Sequence, residues 1–148
     1  MKYTKYLLIM LLTLTAGCSS VLLTPADFSW PLEDVLKVDD NGFITVDRYS
    51  FNLNVKPLFQ VELNDSTKAV GSEIRLIRGT EGYYYITASG FKNVYTFLPV
   101  EGGFKLSSKI EISDSSALKT PKFNQRPPNI ELIDGMTKYL LNKNGIVR

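Results

Sequence analysis

Between residues 72 and 113 the chain reads SEIRLIR, GTEG, YYYITA, SGFK, NVYTFLPV, EG and GFKLSSKIEIS. Four runs rich in β-branched and aromatic residues are separated by three short breaks that contain glycine. This pattern constrains the fold more than any other stretch. Short turn-forming breaks between β-prone runs predict an antiparallel meander. In the last run Phe104, Leu106, Ser108, Ile110 and Ile112 alternate with Lys105, Ser107, Lys109 and Glu111. A period of two along the whole run puts the first set on one face and the second on the other, as in a sheet with one solvated side.

The flanking segments carry the same signature. VLKVDDNGFITV (35–46) places Asn41-Gly42 between two β-prone runs, which predicts a hairpin there. Tyr49, Phe51, Leu53 and Val55 alternate with polar residues until Pro57. Phe59, Val61 and Leu63 resume the alternation, and Asn64-Asp65-Ser66 turns the chain. Residues 114–129 (DSSALKTPKFNQRPPN) hold three prolines and no sustained period, and read as a long loop. NIELI and MTKYLL flank Asp134-Gly135 and predict a second hairpin. A short helix is the alternative, because Met136, Tyr139 and Leu140 also fit helical spacing. Asn144-Gly145 marks a last turn. With 148 residues the chain is one domain long. The expected fold is all-β: a small antiparallel β-sandwich or barrel-like meander of about eight short strands.

The N-terminus has a different character. MKYTKYLLIMLLTLTAGCSS begins with Lys2 and Lys5, continues through the apolar run Leu7 to Leu14, and ends with Ala16, Gly17 and the only cysteine, Cys18. That run is far shorter than the ~20 residues a bilayer-spanning helix needs, and it suits the apolar core of a signal peptide. The LTAGC ending resembles the lipobox of bacterial lipoprotein precursors, with Thr15 where leucine is commonest. The resemblance implies cleavage before Cys18, a diacylglycerol thioether on its sulfur and acylation of its new amine. Ser19, rather than Asp, implies the outer membrane under the enterobacterial sorting rule, with the domain in the periplasm of the cell envelope. The implied organisation is a cleaved signal peptide (1–17), a lipidated N-terminus with a short tether (18–34), and one β-rich domain (35–148). Pro25 and Pro31 stiffen the tether, which keeps the domain close to the membrane.

Cleavage also changes the charge. The chain has 17 basic and 15 acidic residues, and loss of Lys2 and Lys5 leaves 15 of each. A neutral domain gives no general electrostatic case for binding nucleic acid. The chain has no histidine, and an acylated Cys18 leaves no free thiol. Ser-His-Asp triads, Cys-His pairs and ordinary zinc sites are thereby excluded. DDNGFIT (39–45) resembles the middle of an EF-hand loop, but Lys37 and Arg48 fall where calcium needs oxygen ligands. Ser116 and Lys119 match S-x-x-K without its companion motifs or a helical setting. The carboxylates of Asp39, Asp40, Glu111 and Asp114 read as solvated turn residues. We therefore expect no enzyme, no cofactor and no metal.

Two candidate binding features remain. Tyr83, Tyr84 and Tyr85 offer rings, but alternation sends Tyr84 to the opposite face from the other two. Lys119, Lys122 and Arg126 surround Phe123 in the proline-rich loop. A basic loop with one exposed aromatic supplies both steering and an anchor for a partner. The leading expectation is a membrane-anchored, non-enzymatic accessory or scaffolding lipoprotein that binds another envelope protein. The alternative is a ligand-binding or hydrolase-inhibitor lipoprotein.

Overall fold

The computed structural model describes residues 33–113 and 115–147. Cys18 and the whole segment that carries the lipoprotein resemblance lie outside the described residues, as does Asp114. The described chain forms strands β1 (Asp34–Lys37), β2 (Phe43–Val46) and β3 (Phe51–Asn54), helix α1 (Lys56–Leu63), and strands β4 (Glu73–Arg78), β5 (Tyr84–Ala88), β6 (Asn93–Val100) and β7 (Gly103–Glu111). Strands β8 (Pro121–Arg126), β9 (Asn129–Asp134), β10 (Thr137–Asn142) and β11 (Gly145–Ile146) complete it. Every strand pairing is antiparallel. The fold is all-β with a single short α-helix among the described residues, and its sheets are open rather than closed into a barrel.

Three layers build the molecule. The central sheet has the order β1-β4-β5-β6-β7, so the meander read from residues 72–113 is present as four consecutive neighbours. On one face lie α1 and the β2–β3 hairpin, enclosing a core that includes Ile44, Phe59, Ile74, Leu76, Ile86 and Phe91. On the other face lies a second sheet, β11-β10-β9-β8, enclosing Ile77, Tyr85, Val94, Ile130, Leu132 and Leu141. Strand β5 is buried at every residue because both of its faces are covered. Tyr84 and Ile86 point into the first core and Tyr85 into the second, with Tyr83 packed beside it, as strand alternation requires. Each large aliphatic side chain buried this way contributes ~1.5–3 kcal/mol relative to leaving it in water.

Four expectations are corrected. First, Asn41-Gly42 does not join a hairpin: β1 pairs with β4, and β2 with β3. Only Gly42 takes positive φ, at +87°, whereas a type I′ turn needs it at both central residues. The Asp39 carboxylate accepts from the N–H groups of Asn41 and Phe43, making a local turn that redirects the chain between layers.

Second, residues 57–63 are helical. A spacing of four suits a strand and a helix equally, so Phe59 and Leu63 fit both periods. Pro57 stands in the first turn, where its missing N–H costs nothing, and Asn64 ends the helix at φ +53°. Phe59 is buried and Leu58 and Leu63 pack on the core, while Val61 is left 64% exposed.

Third, part of the proline-rich stretch is a strand. Pro121, Phe123 and Gln125 face inward and Lys122, Asn124 and Arg126 outward along β8. Pro121 opens the strand, a position that proline tolerates.

Fourth, β7 does not keep one alternation. Phe97 pairs with Leu106 and Thr96 with Ser108, so Ser107 is a bulge. Phe104 packs on the helix-side core, whereas Ile110 and Ile112 belong to the opposite one.

The second predicted hairpin is present as β9–β10, with Asp134 opposite Thr137. Its turn centres on Gly135-Met136 rather than Asp134-Gly135, and only Gly135 takes positive φ, as a type II′ turn requires.

Candidate functional site

The bulge at Ser107 shapes a largely apolar recess. A groove of about 470 Å³ lies between α1, β3 and the far end of the β6–β7 hairpin. Leu58 and Val61 come from α1, Leu53 and Val55 from the end of β3. The floor is Ile86, Tyr95 and Phe97, and the far wall is Phe104 and Leu106. Without the extra residue, Phe104 and Leu106 would share the face of Ser108 and Ile110, and that wall would be missing. Val61 and Leu106 are 64% and 50% exposed, so apolar surface continues from the groove to its rim. Lys109 supplies the one positive charge among the described residues that line the groove.

The wall formed by α1 is firmly held. The Glu62 carboxylate accepts from the Tyr95 hydroxyl and Asn93 Nδ2 at 2.6 Å each, and from the Lys92 N–H at 2.8 Å. Burial, reinforced by the bond to Glu62, drives the Tyr95 phenol far above its ordinary value. Phe59 meets Phe91 edge-on with ring centres 4.9 Å apart. These contacts tie the helix to the loop after β5 and to β6. The α1 wall of the groove is therefore fixed against the central sheet.

The residues expected to form a binding loop are distributed differently. Lys122 and Arg126 project from the outer face of β8. Phe123, between them, is only 6% exposed and belongs to the second core, so it is no surface anchor. This corrects the reading of an exposed aromatic among cations: an inward position on a strand buries whatever apolar residue occupies it. Lys119 precedes β8, and its N–H and that of Thr120 both donate to Asp134. The alternation PKFNQR was the available signal for this strand, but the surrounding prolines masked it.

Two of the other carboxylates hold local structure. Asp39 organises the turn before β2, and Glu33 accepts from the Phe123 N–H at 2.8 Å and pairs with Arg75 at 3.3 Å. The Ser116 hydroxyl pairs with that of Ser113. Among the described residues, no group of three or more His, Cys, Asp or Glu side chains is placed to hold a metal ion. Chemically, the groove offers apolar contact with a cation at its margin, the pattern of a binding surface. No protein-family model, curated protein or solved structure matches this chain.

Proposed function

We propose that this chain is a lipid-anchored accessory protein of the bacterial envelope, without catalytic activity, that holds an apolar segment of another envelope protein in the groove between α1 and the β6–β7 hairpin. The observation that carries this reading is the groove itself, with Val61 and Leu106 exposed at its rim. Contiguous exposed apolar surface beside a recess marks an interaction site, whereas singly scattered apolar side chains do not. Lys109 favours a segment that places a carboxylate next to its apolar residues. The anchor rests on the LTAGC sequence, and acylation of Cys18 would keep the domain at the membrane that its partner shares.

A second reading has one observation in its favour. The groove volume lies within the range of small-molecule sites, which suits a ligand-binding lipoprotein with an apolar ligand. In-cell photocrosslinking separates the two. A photoreactive residue at Val61 or at Leu106 should give the same discrete adduct with one envelope protein. Leu106→Lys should abolish the adduct formed from Val61, and a photoreactive residue at Lys122, on the far face, should not give it. No adduct, or equal adducts from all three positions, would overturn the protein-binding reading. Labelling with a palmitate analogue tests the anchor, and Cys18→Ala should lose the label.

A further inference from the structure

A second recess lies on the opposite side of the molecule, on the outer face of the β8–β9–β10 sheet. It is an open cleft of about 510 Å³ at the β8–β9 turn. Glu131 is central to it. Although it lies on the outer face of β9, it is only 7% exposed. Arg126 and Lys138 converge on one of its oxygens, at 3.5 and 3.9 Å, and Asn124 donates to the other at 3.4 Å. Close charge-assisted hydrogen bonds measure about 2.7–2.9 Å. Both cations therefore sit at long range from a single carboxylate, with side chains 62% and 59% exposed. The arrangement holds two positive charges against one negative charge, aimed by a buried residue, with donor capacity facing solvent. Pro127 and Leu140 supply an apolar floor and Asn129 an amide at the margin.

We propose that this cleft binds an acidic saccharide, with Arg126 and Lys138 taking a sugar carboxylate. A sugar ring presents an apolar C–H face and a polar edge, which matches a Pro127–Leu140 floor with a polar rim. The volume is that of a small-ligand site. A protein partner fits less well, because the cleft is centred on a cluster of charged side chains, whereas the core of a protein interface is depleted of charge. The inference is independent of the groove, which lies on the other side of the central sheet. Together, the two sites would let one chain hold a protein and an envelope glycan at once.

Isothermal titration of the full chain with a tetra-uronate oligosaccharide tests the proposal, compared with a neutral tetrasaccharide, inorganic phosphate and tetra-glutamate peptide. The uronate should bind about tenfold more tightly than any of the other three. Arg126→Gln combined with Lys138→Gln should weaken uronate binding by about tenfold or more, with thermal unfolding unchanged, whereas Lys122→Gln should not. No uronate binding at millimolar concentration overturns the proposal. So does equal binding of the neutral sugar or of phosphate, and so does peptide binding as tight as that of the uronate.

Discussion

At the residue scale, Glu33 joins three strands. It precedes β1, pairs with Arg75 of β4 and accepts from the Phe123 N–H of β8. It thus occupies an outward N–H of an edge strand that would otherwise be open to pairing. Burial raises its carboxyl above the ordinary 4.5, and the bonds from Phe123 and Arg75 only partly offset this. The folded chain therefore binds this proton more readily than the unfolded chain. That contribution to stability is complete below 4.5 and declines as pH rises through the raised folded value. Urea denaturation across this window should show Glu33→Gln losing less stability with rising pH than the wild type. Parallel pH profiles would refute the assignment. Alternation alone would have placed Phe123 inside, once PKFNQR is read as a strand. The carboxylate from 90 residues away that caps its N–H was not legible, because an edge donor finds its partner only when the sheets are stacked.

At the element scale, one residue decides the shape of the groove. The bulge at Ser107 lets a single strand serve two cores, with Phe104 on the helix side and Ile110 on the other. Phe104 lies 4.5 Å from the Phe51 ring and 5.2 Å from Tyr84. Deleting Ser107 should restore strict alternation, turn Phe104 and Leu106 away from this aromatic cluster and cost about 1–3 kcal/mol. Loss of the Phe51–Phe104 ring contact by NMR, with a lower urea midpoint, is the expected result; an intact contact at wild-type stability would contradict it. The strand run itself was plain in the sequence. The bulge was not, because GFKLSSKIEIS alternates without interruption and only the pairing with β6 shows an unpartnered residue. Helix α1 shows the same limit, since its seven residues from Pro57 to Leu63 satisfy two periods at once. Burial of Phe59 and exposure of Val61 select between them.

At the scale of the whole molecule, the two cores share the central sheet. Because β5 contributes to both, neither outer layer can loosen without exposing a face of the same strand. Phe59→Ala in one core and Leu132→Ala in the other should each cost about 2–5 kcal/mol. Both should lower one common transition, seen alike by circular dichroism and by methyl NMR signals from either core. Two separated transitions would show that the layers fold independently. The sequence alone determined the antiparallel meander and the opposed faces of Tyr84 and Tyr85, and it favoured the β9–β10 hairpin over a short helix. Those features depend on local turn chemistry and on period-two burial, which act between near neighbours in the chain. Only the tertiary structure decided that β1 pairs with β4, that residues 57–63 are helical, that Phe123 is inside, and that a bulge opens the groove. Each of these outcomes depends on which apolar faces meet across layers, where long-range burial outweighs local preferences that are weak or evenly balanced.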